Sequence, residues 1–398
     1  MDYTVKYDVV VVGAGVAGIA AALAASRRGH KVALIEKQTI IGGLATSGLI
    51  YIYLPLCDGR GTQVIKGISE EMLLKSMEFS QFDLHKDWGG AGISKIHHYN
   101  NRYRVDFSPA GFTLSLDEML VNDGVELWLD TRVCAVQKSG DKVTALEVEN
   151  TSGRIVIQAG AFVDASGEAI VVRRAGGAVE CDFNHHSLWL IENIAEEKKT
   201  HYDFGNTLHI KPFMFNQNNI APGDGMDGKC VTAFTQKGYK YLREYYRESY
   251  KTSSRYEHYP VHLPAMAQFR KIAAAKAQFM LNTGDFGKHY KDSIGLTGDW
   301  RVPGPVWETP LRTLVPESID GVFTAGRCMG AVGEAWEVYR VIPSTAMTGE
   351  AAGIAAALTV EKKCESRELD YKLVQNALRK LNIPLHLADV NLTAENMK

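Results

Sequence analysis

The sequence lacks the features that assign a chain to several common functional classes. Its six cysteines are scattered, with no C-x-x-C pair, which excludes a redox dithiol close in sequence and an iron–sulfur cluster of the usual spacing. No basic block longer than a pair occurs among 44 basic and 46 acidic residues, so nucleic-acid binding has no electrostatic footprint. No G-x-S-x-G elbow supports serine hydrolase chemistry.

Long apolar segments are also lacking. The longest apolar stretches, around 16–25 and 351–360, have about half the length that spans a bilayer. The N-terminus carries Asp2 and Asp8 and shows no basic segment followed by a long apolar run, so no secretory signal is visible. We therefore expect no membrane contact and a cytoplasmic, reducing compartment, in agreement with the scattered cysteines.

The histidines form no recognisable metal-binding pattern. His97-His98 and His185-His186 are adjacent pairs, whose side chains point apart on a strand. A third pair at 258 and 262 has helical spacing, but Pro260 between them argues against one helix face. The sequence therefore predicts no metal site.

The most informative segment that is present is 8–43, DVVVVGAGVAGIAAALAASRRGHKVALIEKQTIIGG. A buried apolar strand at 9–12 runs into a glycine turn, and a small-residue helix then extends to Arg28. A second apolar strand at 32–35 ends at Glu36. This order of elements predicts the first β-α-β unit of a dinucleotide-binding domain.

Each glycine of the turn has a separate mechanical role. Gly13 makes the tight turn, Gly15 lets the backbone approach a pyrophosphate, and Gly18 lets helix and strand pack closely. The pyrophosphate then lies on the free N–H groups at the positive end of the helix, where Val16 and Ala17 follow the turn.

An acid and a second glycine cluster narrow the choice of dinucleotide. Glu36 is placed to accept hydrogen bonds from ribose hydroxyls and would repel an adenosine 2′-phosphate, which disfavours NADP. Gly42 and Gly43 open a run of small residues that lets the chain lie against a large planar group. This doublet resembles the signature of glutathione-reductase-like FAD flavoproteins and favours FAD over NAD. Because no second strand-GxGxxG-helix unit occurs, dedicated NAD(P)H docking is not expected.

Later segments complete the predicted cofactor domain. Several short alternating strands follow Asn122 and end in the turn 164–167, and a buried strand at 321–325 precedes an Ala-rich helix from about 343 to 358. The residues between them are richer in aromatics and histidines, with helices predicted at 239–250 and 264–281.

The predicted fold is therefore α/β. A Rossmann-like FAD-binding domain is built from the discontinuous segments 1–55, 100–180 and 306–365, with an inserted α+β substrate domain at 181–305. The remaining 366–398 are predicted to form a C-terminal helical segment.

Three stretches together resemble the bacterial FAD-dependent oxidoreductase family, which is related at a distance to the flavoprotein subunits of fumarate reductase and succinate dehydrogenase. They are the 8–43 unit, IVIQAGAFVDASGEA, and the segment from TLVPESIDGVFTAGR through the Ala-rich helix. The segment MAQFRKIAAAKAQFMLNTGDF also resembles a central family pattern, in which an Arg-bearing helix precedes an aspartate. The chain departs from the family at Ser166 and Glu168, in place of Thr and Asp, and in having no histidine within 302–307.

The resemblance implies non-covalently bound FAD. Glu36, Lys37 and the backbone at Val133 would grip the adenosine, while the start of the last helix would face the flavin ring and stabilise negative charge on the reduced form. The predicted cofactor-binding residues are Gly13, Gly15, Val16, Ala17, Gly18, Glu36, Lys37, Gly42, Gly43, Val133, Ala165, Ser166, Gly167, Gly326, Arg327, Ser344, Thr345 and Ala346.

Three residues are candidates for catalysis. Arg340 lies where the resemblance places an arginine beside flavin and substrate, Arg270 is suited to bind a carboxylate, and Glu334 is suited to act as a base. For each of them, an ion pair with a purely structural role is the alternative.

Together these features predict an FAD-dependent oxidoreductase that transfers hydride between flavin N5 and a small polar organic substrate. The alternatives are an electron-carrier or non-catalytic flavoprotein subunit of a larger complex and, less favoured, a flavin monooxygenase. The expected partner is a small-molecule substrate, while a separate electron acceptor and a homo-oligomer stay open.

Overall fold

The computed structural model describes residues 3–84, 104–195, 208–215 and 220–393, together with 395 and 397. Asp2, His97 and His98 lie outside the described residues, as do small parts of the predicted ranges 1–55, 100–180, 181–305 and 366–398.

The described chain alternates strands and helices along most of its length. The strands are β1 (Tyr3–Val12), β2 (Val32–Ile35), β3 (Ile52–Tyr53), β4 (Val105–Asp106), β5 (Glu126–Trp128), β6 (Arg132–Ser139), β7 (Lys142–Asn150), β8 (Gly153–Asp164), β9 (Val179–Glu180), β10 (Ser187–Ile194), β11 (Leu208–Met214), β12 (His258–His262), β13 (Ala274–Ala275), β14 (Ser293–Gly298), β15 (Val306–Pro310) and β16 (Val322–Thr324). The helices are α1 (Val16–Ser26), α2 (Ile68–Ser76), α3 (Pro109–Asn122), α4 (Ile170–Arg174), α5 (Gly228–Ser249), α6 (Gly333–Tyr339), α7 (Ile342–Lys362) and α8 (Tyr371–Lys380).

The central sheet has the strand order β5-β2-β1-β8-β7-β6, and β16 also pairs with β8. The pairs β5–β2, β2–β1, β1–β8 and β8–β16 are parallel, whereas β6, β7 and β8 form an antiparallel meander. Alternate residues of β1 enter cores on opposite faces, with Val9 and Val11 on one side and Val10 and Val12 on the other. A sheet buried on both faces is typical of parallel α/β folds, so the predicted fold class is confirmed.

The inserted part contains a three-stranded antiparallel sheet, in the order β11-β10-β12, against which α5 packs. The tyrosine-rich helix predicted at 239–250 lies within α5, which Asp227 caps by accepting a hydrogen bond from the Cys230 N–H at 2.9 Å. Leu188 and Leu190 of β10 meet Leu242 of α5 in a small separate core.

The prediction of a helix at 264–281 is wrong. This segment is irregular and contains only the short β13, because its backbone N–H groups bond to other parts of the chain. The N–H of Ala265 donates to the Ser47 carbonyl, that of Arg270 to the Asn184 side chain, and that of Gln278 to the Val315 carbonyl. These tertiary hydrogen bonds outweigh the helix propensity of its alanines.

Helices α1 and α7 pack closely on one face of the sheet. A Cβ atom on Gly349 would overlap the carbonyl oxygen of Ala17, and one on Gly353 would overlap that of Ala21. All residues of α7 from 343 to 359 are buried. Among the described residues, no single helix is both long and apolar enough to cross a bilayer, and α6 with α7 reaches that length and apolarity only across an 86° bend.

The contact between α1 and α7 can be tested with the substitution Gly353→Ala. We expect it to lower the free energy of unfolding by about 1–3 kcal/mol, because the added methyl group overlaps backbone and cannot be absorbed by a side-chain rotation. In an exposed helix the same change stabilises by about 1 kcal/mol, so the sign of the effect, measured by urea denaturation, is decisive. Gly284→Ala is the control, because a Cβ atom there meets nothing within 4 Å.

Candidate cofactor and active site

A cavity of about 440 Å³ lies at the carboxyl ends of the parallel strands β1, β2, β8 and β16. Open α/β sheets bind ligands in this crevice because the turns that leave the strands converge there. The glycine turn after β1, the turn after β8 and the segment from Gly326 to Thr345 line it, although they are far apart in sequence.

The first turn has the geometry of a phosphate cradle. Gly13 adopts a φ of 95°, which favours glycine, and its N–H donates to the Ile35 carbonyl at 2.7 Å. A Cβ atom on Gly15 would meet nothing within 4 Å and would project into open space at the start of α1. A Cβ atom on Gly18 would overlap the Gly13 carbonyl oxygen, so Gly18 serves helix–strand packing and does not line the cavity.

Glu36 lies at the end of β2 and faces the same cavity. Its two carboxylate oxygens accept hydrogen bonds from the N–H groups of Ala14, at 2.8 Å, and Gln38, at 2.9 Å. Burial raises the pKa of Glu36, although these two hydrogen bonds oppose the rise. Beside it, Lys37 pairs with Glu168 at 2.9 Å, so Glu168, which stands where the family has Asp, keeps an acid at this position.

The turn after β8 is held by a buried aspartate. Asp164 accepts hydrogen bonds from the Ser166 hydroxyl at 2.6 Å and from the Val171 N–H at 2.8 Å, which fixes the start of α4. Gly167 has a φ of 76°, and a Cβ atom there would overlap the Arg327 guanidinium, which also lines the cavity. The two segments therefore approach each other at the cavity wall.

All predicted cofactor-binding residues line this cavity except Gly18, Ser344 and Ala346. The hydroxyl of Ser344 instead bonds to that of Thr297 at 2.6 Å, and Ala346 is buried within α7. Thr345 does line the cavity. Of the three residues predicted to bind the cofactor at the start of α7, it is therefore the one that reaches the cavity. The arrangement has the backbone cradle, the ribose-binding acid and the open space that FAD needs.

Arg340 lines the cavity and belongs to a row of partly buried ion pairs. Its guanidinium donates to Glu337, one turn earlier, and lies over the ring of Trp300 at 5.8 Å. Glu337 also pairs with Lys271 at 2.9 Å, and Lys271 pairs with Asp182 at 2.6 Å. Burial acts to raise the pKa of Glu337, but the charges of Arg340 and Lys271 hold that pKa down to about 2.

The structure places the other two predicted catalytic residues differently. Glu334 does not line the cavity; its side chain is 52% exposed and pairs with Arg301. It lies one turn before Glu337, in the first turn of α6, where its partner is Arg301, whereas Glu337 reaches Lys271 of the inserted segment. Arg270 does not line the cavity either, but it lies close enough to Arg340 that the two charges act on each other.

Arg270 stands beside His185 in an environment short of negative charge. Burial, with the charge of Arg340, lowers the pKa of Arg270 to about 10, and its buried Nε atom has no hydrogen-bond partner among the described residues. Burial, with the charges of Arg270 and Arg340, lowers the pKa of His185 to about 4, so this imidazole is neutral at physiological pH. Its buried Nε2 atom likewise has no partner in the described part of the chain.

Sequence reasoning missed Glu337, Lys271, Asp182 and His185 as members of this group. One signal was present, because Glu337 and Arg340 have the i, i+3 spacing of an ion pair on one helix. Asp182, His185 and Lys271 join the group because the inserted segment packs against α6. No local sequence pattern predicts that packing.

The fold and this cavity define a dinucleotide-binding flavoprotein. Residues 8–213 and 242–378 match the family model described as FAD dependent oxidoreductase, and the chain belongs to that family. FAD is accordingly its cofactor, and the chain is an oxidoreductase, as the sequence predicted.

Two curated relatives are each 27% identical to part of the chain. One is an NADH:fumarate oxidoreductase of Klebsiella pneumoniae, matched over 41% of this chain and 20% of the relative. The other is a digeranylgeranylglycerophospholipid reductase of Picrophilus torridus, matched over 41% of this chain and 40% of the relative. The chain thus matches well under half the length of either relative.

Solved structures share the fold at low identity. A geranylgeranyl bacteriochlorophyll reductase-like protein from Thermoplasma acidophilum superposes with a TM-score of 0.50 at 15% identity, covering 99% of this chain and 90% of that one. A p-nitrophenol 4-monooxygenase from Pseudomonas putida gives a TM-score of 0.55 at 13% identity, covering 98% and 89%. These similarities concern the fold alone.

The phosphate cradle can be tested with Gly15→Val. The backbone of Gly15 has a φ of −74° and a ψ of 176°, which valine adopts readily, and the side chain would enter open space. We expect FAD content after purification to fall at least about 10-fold, while thermal stability equals that of the FAD-free wild type. A variant that retains stoichiometric FAD would show that the pyrophosphate lies elsewhere.

The ion pairs of Glu337 with Arg340 and Lys271 predict that Glu337→Gln changes the free energy of unfolding in a pH-dependent way. The wild-type carboxylate has a pKa below its unfolded value, so its contribution to stability is complete above about pH 4.5 and is lost as the pH falls toward 2. We expect the variant to lose about 2 kcal/mol of unfolding free energy at pH 7, a deficit that narrows below about pH 4.5 in urea denaturation. Glu334→Gln, with its exposed ion pair, should cost less than about 1 kcal/mol.

Proposed function

We propose that this flavoenzyme transfers hydride between flavin N5 and a small organic acid, whose carboxylate is held by Arg270 and His185. The observation that carries the proposal is an unbalanced charge beside the cofactor cavity. Lys271 and Arg340 pair with the two carboxylates of Asp182 and Glu337. Arg270, whose charge acts on that of Arg340, forms no ion pair with a described carboxylate, and this unpaired guanidinium favours an anionic ligand.

The donors suit a carboxylate. A guanidinium offers paired N–H groups that match the two oxygens of a carboxylate, and a neutral imidazole adds one further donor. Arg270 Nε and His185 Nε2 are both buried and lack hydrogen-bond partners in the described chain. A bound acid would accept hydrogen bonds from these atoms and so offset the free-energy cost of burying them.

Arg340 has a different task in this proposal. It lines the cofactor cavity, and Glu337 and Trp300 fix its guanidinium from two sides. A fixed cation between the cavity and Arg270 would orient the reacting end of the substrate and stabilise negative charge that develops there. When bound, FAD supplies the hydride-transfer chemistry at N5.

The proposal assigns the substrate-binding role to the inserted segment. The predicted substrate domain, 181–305, supplies Asp182, His185, Arg270 and Lys271, while α6 supplies Glu337 and leads into Arg340. A substrate held between them would bridge the inserted segment and the cofactor domain.

Rapid mixing of the chemically reduced enzyme with candidate substrates tests the proposal. The panel pairs small unsaturated acids and keto acids with their neutral amides, under anaerobic conditions, and flavin reoxidation is followed by absorbance. We expect an acid to react and its amide to fail. In Arg270→Gln the apparent affinity for the acid should fall about 100-fold, because a charge-assisted hydrogen-bond pair is lost, while FAD content stays unchanged.

Arg312→Gln is the matched control. Its guanidinium pairs with Asp292 at 2.9 Å, and it does not line the cofactor cavity. Equal reaction of acids and amides would contradict the assignment of Arg270. Reoxidation by oxygen alone, or only by a partner protein, would contradict hydride transfer to an organic acid.

A further inference from the structure

A second cluster of potential ligands lies outside the cofactor cavity. Glu308 of β15, His289 before β14 and His386 after α8 bring one ligand atom each within 4.8 Å of the others. None of the three lines the cofactor cavity. They converge from three separate parts of the chain, with sequence separations of 19 between His289 and Glu308 and 78 between Glu308 and His386.

Glu308 is the centre of the cluster, and its side chain is 1% exposed. Its carboxylate accepts hydrogen bonds from the N–H groups of Tyr290, at 2.8 Å, and Leu387, at 3.0 Å. Among the described residues no lysine or arginine pairs with it, and its ionic partners are the two histidines. A buried carboxylate without a permanent cation is costly, so the site favours an additional positive charge.

Both imidazoles point Nδ1 at Oε2 of Glu308. Nδ1 of His386 lies 3.0 Å from Oε2 of Glu308, and Nδ1 of His289 lies 3.3 Å from it. The ring centroids are 4.8 Å apart, so both imidazoles face the same small space beside the carboxylate. One divalent ion there would contact all three groups and supply the positive charge that the buried Glu308 lacks.

The separations suit a small transition metal. Zinc binds histidine nitrogen at about 2.0–2.1 Å and carboxylate oxygen at about 2.0–2.2 Å, which places neighbouring ligands of a tetrahedron about 3.4 Å apart. The observed separations of 3.0 and 3.3 Å from Oε2 are close to that value. Two imidazoles and one carboxylate form a ligand set that zinc commonly takes.

We propose that His289, Glu308 and His386 bind one zinc ion, against the expectation from the sequence that the chain has no metal site. The side chain of His289 is 70% exposed, so the ion can enter from solvent and hold water at its remaining position. Because His386 follows α8, the ion would fasten the C-terminal segment to β15. The zinc site is independent of the substrate assignment, since none of its three ligands lines the cofactor cavity.

Metal titration of the FAD-loaded, chelator-treated protein tests the site. We expect zinc to bind with a stoichiometry of one per chain by calorimetry and to raise the melting temperature. Cobalt at the same site should give absorption bands above the flavin range, and zinc should remove them. His289→Ala is the decisive variant because an exposed side chain is dispensable for folding, and we expect it to weaken zinc binding at least 10-fold.

His262→Ala is the matched control, since His262 is an exposed histidine on β12. It should leave zinc affinity and the rise in melting temperature unchanged. Zinc binding that His289→Ala does not weaken would overturn the proposal, as would a thiolate charge-transfer band with cobalt, which would locate the metal at cysteine. Failure to bind zinc at all would also overturn the proposal, and would mean that hydrogen bonds alone stabilise the buried Glu308 carboxylate.

Discussion

The close contact between α1 and α7 is the constraint on which the rest of the site depends. Gly349 and Gly353 allow α7 to lie against the backbone of α1, where any side chain would overlap a carbonyl oxygen. The same two helices begin at the cofactor cavity, α1 directly after Gly15 and α7 two residues after Arg340. Packing of one helix on the other therefore sets the distance between the phosphate cradle and the positively charged wall of the site, before any cofactor binds.

Two kinds of chemistry meet across this cavity. On the cofactor side the backbone dominates, because glycines, peptide N–H groups and the acid Glu36 surround the space, and most of these features follow from the ends of parallel strands. Elsewhere on its wall Arg340 lines the cavity, and ion pairs behind it connect Arg340 through Glu337 and Lys271 to Asp182. The first group surrounds the space for a dinucleotide that many proteins share. The second group balances its own charges, and Arg270 beside it supplies the unpaired positive charge from which we infer an acidic substrate.

Sequence reasoning succeeded where the chemistry is local and failed where it depends on packing. The cradle could be predicted because strand, glycines, helix and acid follow one another within 8–43, and the structure brings them together. Glu334 was predicted as a base and Glu337 was overlooked, because their different partners, Arg301 and Lys271, come from segments that the local sequence does not reveal. The prediction of a helix at 264–281 was wrong and the His289–Glu308–His386 cluster was not recognised, for a shared reason: partners distant in sequence determine both.

The division between backbone and side-chain recognition has an evolutionary consequence. In the proposed site, substitutions at 182, 185, 270 or 271 would alter which molecule reacts without changing residues that line the cofactor cavity, since none of these four positions lines it. Asn184 strengthens this separation: its side-chain oxygen accepts the N–H groups of both Arg270 and Lys271 at 2.8 Å, so the chain path is held while the neighbouring side chains are free to change. A scaffold of this kind lets new specificities be explored in small steps, each of which starts from a folded, flavin-loaded protein.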